Sequence, residues 1–165
     1  MSGTRIRGPA HRARLPLLDR LLDADPGAPE PPPPSIAVAL DLLHRAVRRD
    51  LEAVLNARRR RRPVPAALEE LVVSPLNYGI PDATSGAYAV PARREALARE
   101  VEATIRRFEP RLMSIRVELV GGEDELDRAL RLKVDAVLRA DPVPEPVSFE
   151  TLLEPVSRDV TVRDA

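Results

Sequence analysis

The feature that most constrains the fold is a change of hydrophobic period at Pro110. Before it, Leu97, Val101 and Ile105 recur every four residues, as they do on one face of a helix. After it, apolar and polar residues alternate over 113–119, as in a half-buried strand. Because proline lacks an N–H and biases the preceding residue away from the helical region, Pro110 ends the helix. The sequence therefore predicts a helix-to-strand joint here.

Two opposite charges, Glu109 and Arg111, flank Pro110. On a rigid corner they can pair with complementary charges of a partner, and charge pairs desolvated at an interface can matter by a few kcal/mol. In that case Glu109→Ala or Arg111→Ala leaves the fold intact and weakens assembly, because removing an exposed pair costs only about 0–1 kcal/mol. In the alternative, the two residues pair within the chain and hold the joint, and either variant lowers the melting temperature strongly.

Helical patterns come first along the chain and strand patterns follow. This order predicts an α+β fold, in which N-terminal helices and a further helix precede an antiparallel meander of three to four strands. Ser35 is a suitable N-cap for the first long helix. The predicted elements are helices over 36–56, 66–73 and 91–108, and strands over 112–119, 129–139, 147–153 and 158–163.

The domain organisation predicted from the sequence is an extension followed by one domain. Residues 1–34 form a flexible N-terminal extension, of which the first fourteen residues look disordered. The extension contains a short apolar island at 15–22 and a proline-rich linker at 26–34, which favours an extended spacer. Residues 35–165 form a single α+β domain. The island is too short for a stable isolated helix, and it docks either on its own domain or on another protein.

Composition excludes several kinds of chemistry. The chain has no cysteine, which rules out disulfides, zinc–thiolate sites and thiol catalysis. The two histidines, His11 and His44, have no recognisable nucleophile or ligand motif beside them, and no phosphate-binding glycine loop occurs. No apolar run reaches the length of a signal peptide or a membrane span. We expect no catalytic, metal or cofactor site and a soluble cytoplasmic protein.

Two weaker hypotheses come from charged residues. Residues 1–62 hold thirteen arginines and seven acids, and the Arg58–Arg62 run could contact nucleic-acid phosphates. The chain has only four aromatic residues for base stacking, so no nucleic acid is expected as a partner. A carboxylate pair could instead cleave glycans, with Glu109 as one acid. Candidates for the second acid are Glu118, Asp135 and Glu150.

The sequence from Ser74 to Asp82 has the composition of a loop. It contains Asn77, Tyr78, Gly79 and Pro81, which are residue types that favour or tolerate turns. We interpret this segment as a structured turn in which Tyr78 packs on the core.

Several segments in this order resemble a known family, the small baseplate wedge subunits of contractile phage tails and type VI secretion systems, called TssE in the latter. The most specific part is Asn77-Tyr78-Gly79-Ile80-Pro81-Asp82, followed some thirty residues later by Phe108-Glu109-Pro110-Arg111-Leu112. Further matching segments are Leu17-Leu18-Asp19-Arg20-Leu21, Val47-Arg48-Arg49-Asp50-Leu51-Glu52, Leu55-Asn56, Leu132 to Leu138 and Val147-Ser148-Phe149-Glu150-Thr151.

The resemblance implies a structural, non-catalytic subunit of a baseplate in the bacterial cytoplasm, docked on the inner-membrane complex. Its partners would be other baseplate wedge subunits and sheath proteins in a hetero-oligomeric assembly, without membrane insertion. The resemblance assigns partner contacts to Glu109, Pro110 and Arg111, and we expect further contacts from Leu17, Leu18 and Leu21. The family also carries a lysozyme-related label, so a peptidoglycan-cleaving enzyme remains an alternative.

Overall fold

A computed structural model describes residues 17–22, 27, 34–60, 64–65, 67–81, 91–120, 130–141, 143–153 and 160–165. In chain order the helices are α1 (Leu17–Leu21), α2 (Ile36–Asn56), α3 (Glu69–Val72) and α4 (Pro91–Phe108), with a 3-10 turn at Pro75–Asn77 after α3. The strands are β1 (Leu112–Val120), β2 (Leu130–Leu138), β3 (Glu145–Leu153) and β4 (Val160–Asp164). This confirms the predicted α+β class. The expected disorder of residues 1–14 lies outside the described residues.

The four strands form one antiparallel sheet in the order β1-β2-β3-β4, which is the predicted meander. Alternate side chains of each strand face the helices, because successive residues of a strand point to opposite faces. On the helix-facing side lie buried residues such as Val117, Val134 and Phe149. The other side carries charged pairs, including Arg116 with Glu118 and Lys133 with Asp135.

The long helices α2 and α4 cover the apolar side of the sheet. Ser35 caps α2 as expected, since its hydroxyl accepts a hydrogen bond from the Val38 N–H at 3.4 Å. The stripe of α2 is buried from Ala46 onward, but Ile36 near its start is 48% exposed. The first turn of α2 therefore buries less apolar surface than its later turns, although Ala39 is already buried. The buried residues of α4 are Leu97, Ala98, Val101, Thr104 and Ile105.

The end of α2 is joined to the last strand by one side chain. The Asn56 amide donates to the Val160 carbonyl at 2.9 Å, and its oxygen accepts from the Val160 N–H at 2.7 Å. The Asn56 side chain thus binds both backbone groups of Val160 in the edge strand β4. The second predicted helix is shorter than expected: α3 begins only at Glu69, and the 3-10 turn takes up part of the predicted loop.

Candidate docking site

The joint between α4 and β1 is fixed by backbone hydrogen bonds on both sides of Pro110. The Glu109 N–H donates to the Ile105 carbonyl at 2.8 Å, which completes the last turn of α4. The Leu112 N–H then donates to the Glu109 carbonyl at 3.1 Å, and the Arg139 N–H donates to the Arg111 carbonyl at 2.8 Å. The corner is therefore tied to the end of β2 as well as to its own helix.

Glu109 is buried at this corner, with 4% of its surface exposed. One carboxylate oxygen accepts from the Arg111 N–H at 3.3 Å and from the Arg111 Nε at 2.6 Å. The other oxygen accepts from the Arg111 Nη2. The two charges thus pair within the chain, and this bidentate bond raises the pKa of Arg111 above its ordinary value. The Arg111 side chain keeps 26% of its surface exposed, so it is the member of the pair that a partner can reach.

Asp50 on α2 extends this pair into a longer series of charges. The Arg111 Nη2 donates to Asp50 Oδ2 at 2.5 Å, and the Arg49 Nε donates to Asp50 Oδ1 at 3.0 Å. The Arg49 Nη1 in turn donates to Asp19 Oδ1 on α1 at 2.8 Å. The hydrogen bond to Asp19, and to a smaller extent the one to Asp50, raise the pKa of Arg49 above its ordinary value. We call Glu109, Arg111, Asp50, Arg49 and Asp19 the charge relay.

The roles of Arg49 and Asp50 were not predicted from the sequence. Both residues lie in a segment that carried the family resemblance, but they read as ordinary polar residues between the buried Val47 and Leu51. A charge pair at neighbouring positions of a helix gives no periodic signal, since helix neighbours in space are three or four residues apart. Contacts that span thirty and sixty-one positions of the chain are not readable from local spacing.

The predicted turn packs directly beside the charge relay. Tyr78 meets Phe108 edge to face, with ring centroids 5.1 Å apart and planes at 72°, which is a favourable aromatic geometry. Burial raises the pKa of Tyr78 above its ordinary value, and the negative charges of Asp50 and Glu109 contribute a smaller part of the increase. Asn77 is buried and donates to the Val72 carbonyl at 2.9 Å, which ties the turn to α3.

Gly79 allows this turn to approach the end of α2. Its φ is +99°, a conformation that residues with a side chain rarely adopt. The following residue, Ile80, donates its N–H to the Ala57 carbonyl at 3.0 Å and accepts from the Arg59 N–H at 2.9 Å. Any Cβ at position 79 would lie 2.3 Å from the same Ala57 oxygen. The structure therefore explains why the turn has a glycine at this position.

The apolar island forms the short helix α1, and its leucines face outward. The exposed fractions are 68% for Leu17, 52% for Leu18, 71% for Leu21 and 66% for Leu22. Asp19, on the same helix, is held by Arg49. The island touches its own domain through a charge and leaves its apolar side chains uncovered.

The described part of the Arg58–Arg62 run is engaged within the chain. The Arg58 Nη1 donates to the Leu55 carbonyl at 2.9 Å, and Arg59 pairs with Glu100 of α4. Arg60 is exposed, and the last two arginines lie outside the described residues. Arg58 therefore binds the end of its own helix, and Arg59 joins the residues after α2 to α4.

The three candidate second acids for glycan cleavage do not lie beside Glu109. Glu118 and Asp135 alternate with buried residues and so lie on the side of the sheet that faces away from the helices, as Glu150 does. Glu109 is held beside α2 by Arg111. His44, in the N-terminal half of α2, makes a 3.3 Å contact with Glu145 at the start of β3. Among the residues that the structure describes, no cluster of three metal-ligating side chains occurs, and no helix could span a membrane.

The family model described as baseplate wedge protein gp25 matches residues 41–143, which is more than half of the chain. The chain belongs to this family, which confirms the resemblance read from the sequence. The family indicates a structural role in the baseplate of a phage-tail-like machine. A search of curated proteins found no match.

Proposed function

We propose that this protein is a non-catalytic structural subunit of a type VI secretion baseplate. It docks to neighbouring wedge subunits and supports assembly of the sheath, in the bacterial cytoplasm at the inner-membrane complex. The family supports the baseplate role, and the matched residues 41–143 contain the joint. The internal pairing of Glu109, and the location of Glu118, Asp135 and Glu150 on the side of the sheet that faces away from the helices, support a role without catalysis.

The observation that carries this proposal is the exposure of the α1 leucines. Leu17, Leu18 and Leu21 are each more than half exposed on a helix of only five residues. Such a helix gains little from its own backbone bonds, so it needs packing against a further surface to be stable. A short leucine-rich helix fits an apolar groove of a partner subunit, where each leucine would bury area worth about 1.5–3 kcal/mol.

The corner contributes a second contact in this proposal. Arg111 presents the exposed edge of its guanidinium, and Pro110 is exposed at the tip of the corner. Glu109 acts through Arg111, since its buried carboxylate fixes the guanidinium in place. Mutation of Glu109 would then weaken assembly by releasing Arg111, not by removing a direct contact with the partner.

The proposal is tested by co-expressing the chain with the wedge and sheath subunits of its own system and measuring complex formation by native mass spectrometry. The test variant is Leu17→Ser/Leu21→Ser. We expect the isolated variant to fold normally and to lose the complex, because two leucines would no longer be available for the partner groove. A loss of about 3 kcal/mol or more corresponds to more than a hundredfold in the dissociation constant.

The matched control is Val143→Ser. Val143 is 69% exposed, like the leucines of α1, but it lies at the connection between β2 and β3. Its substitution should leave the complex at the level of the unmodified chain. A complex that forms equally well with both variants would refute the docking role of α1. Absence of any complex with the unmodified chain would refute the baseplate role itself.

A further inference from the structure

The charge relay connects the two parts of the proposed docking surface. Its three links between joint and island measure 2.5 Å from Arg111 to Asp50, 3.0 Å from Asp50 to Arg49 and 2.8 Å from Arg49 to Asp19. At one end is the buried carboxylate of Glu109. At the other end is α1 with its uncovered leucines. The series thus runs across α2 from a fixed element to an exposed one.

Asp50 occupies the central position because its two oxygens bind different arginines. Oδ2 accepts from Arg111 and Oδ1 accepts from Arg49. Arg49 also divides its donors, with Nε on Asp50 and Nη1 on Asp19. A guanidinium has its donors in one rigid plane, so fixing Nε also fixes the direction of Nη1. The orientation of Arg49 toward Asp19 therefore depends on Asp50. The orientation of the Asp50 carboxylate depends in turn on Arg111.

We propose that Asp50 is a positioning residue that couples the corner to the island. It binds Arg111 at the joint and Arg49 next to α1. The orientation of α1 then depends on whether the Arg111 guanidinium binds Asp50. This inference rests on the proposed function for its biological use. An acidic side chain of a partner that binds Arg111 competes with Asp50 for the same guanidinium. Engagement of the corner would then loosen α1 and let its leucines enter the partner groove.

The exposure of the relay suits this role. The side chains of Asp50 and Arg49 are 37% and 45% exposed, which leaves the middle links open to water and to competing charges. Exposed ion pairs have small net energies, so such links can be exchanged without unfolding the chain. The Asp19 carboxylate has a second oxygen that is shielded from solvent and makes no hydrogen bond to the described residues. Arg49 therefore holds α1 through one oxygen of Asp19.

The absence of cysteine from this chain allows a direct measurement of the mobility of α1 in the isolated protein. Leu22→Cys places a unique thiol at the exposed residue that follows α1, and a nitroxide label there reports the local mobility of the island. The relay variants are Arg49→Met, Asp50→Asn and Arg111→Lys. The lysine keeps a positive charge beside Glu109, but it lacks the planar set of donors that serves Glu109 and Asp50 together.

We expect the spectrum of the label to shift toward the mobile limit in all three relay variants. The shift should be largest in Arg49→Met, which removes the partner of Asp19, and smaller in Asp50→Asn and Arg111→Lys. The matched control is Arg106→Met, which breaks the 2.7 Å pair with Glu102 on the exposed side of α4 and should leave the spectrum unchanged. Melting temperature and circular dichroism, measured in parallel, separate a release of α1 from unfolding.

The decisive variant is Arg111→Lys, because this residue does not touch α1. A spectrum that matches the unmodified chain in both Arg111→Lys and Asp50→Asn would overturn the coupling, even if Arg49→Met releases the island. That outcome would leave the proposed function intact, since loss of the complex in Leu17→Ser/Leu21→Ser is measured with partners. Conversely, a mobile label in the relay variants would support the coupling even if no baseplate complex formed.

Discussion

The joint at Pro110 and the island α1 lie at opposite ends of one charge relay and are built in opposite ways. At the joint, backbone bonds to both flanking elements and a bidentate pair enclose Glu109, which is 4% exposed. In α1, the backbone forms little more than one turn, the leucines face water, and Arg49 holds Asp19. The joint is thus determined by this chain alone, whereas the island lacks the apolar contacts that would complete it.

Under the proposed function, this difference separates the residues that stabilise the fold from those that bind a partner. Substitution of Glu109 at the joint should change the free energy of unfolding, and it would affect assembly only through the geometry of Arg111. Substitutions in the island should leave unfolding nearly unchanged, since its side chains bury little surface in the isolated chain. A subunit that must fold alone and then join a larger structure benefits from this separation, because its docking element can adapt to the partner.

The largest effect is expected at Gly79, in the turn that packs on the joint. Gly79→Ala puts a methyl group 2.3 Å from the Ala57 carbonyl oxygen and forces an alanine to a φ of +99°. Displacing this backbone contact also breaks the Ile80 N–H bond to the same oxygen. We expect a loss of about 3 kcal/mol or more in the free energy of unfolding, measured by urea denaturation.

The control for Gly79 is Leu76→Ala in the same turn. Leu76 is 50% exposed, so its truncation should change stability by only about 0.5 kcal/mol. An equal and small loss in both variants would show that the turn is not fixed to the end of α2 as the structure has it.

A smaller but still large effect is expected at Glu109. Glu109→Ala removes the acceptor of the Arg111 N–H and leaves a half-buried guanidinium with Asp50 as its remaining acid. We expect a loss of about 2–3 kcal/mol in the free energy of unfolding, because a buried pair is broken from one side. This revises the expectation from the sequence, in which an exposed pair could be removed with little effect. Thermal and urea denaturation measure the loss.

Glu118→Ala is the matched control for Glu109. Glu118 also pairs with an arginine two positions away, Arg116 at 2.7 Å, but its side chain is 49% exposed. Its removal should cost about 0–1 kcal/mol. Similar losses for the two glutamates would mean that the burial of Glu109 has no energetic consequence, and the joint would then be no more rigid than the open side of the sheet.

The sequence was sufficient to predict the elements because each had a clear local period. The stripe of α4, the stop at Pro110 and the alternation in β1 indicated a helix, a joint and a strand within a few residues of the observed bounds. Antiparallel strands that follow one another along the chain pair with their neighbours, so their order was also predictable. The turn at Gly79 could be located from its composition.

The pairing at the candidate site could not be predicted in the same way. Glu109 and Arg111 were recognised as a flanking pair, but whether they faced each other or a partner depends on Asp50, sixty-one positions from Arg111. Burial of a carboxylate is decided by the elements packed around it, here α2 and the turn at Tyr78. Likewise, the sequence of α1 showed an apolar island, but only the tertiary structure shows that its leucines are left uncovered.

The smallest effect on stability is expected in the island itself. Leu21 is 71% exposed, so Leu21→Ala should change the free energy of unfolding by only about 0.5 kcal/mol, measured by urea denaturation of the isolated chain. In contrast, Leu51 on α2 is fully buried, and Leu51→Ala should cost about 2–5 kcal/mol. If Leu21→Ala instead lost more than about 1 kcal/mol, the island would be packed on its own domain, and the contrast between joint and island would fail. A stable Leu21→Ala chain that no longer forms the baseplate complex would place the contribution of this leucine in assembly and not in folding.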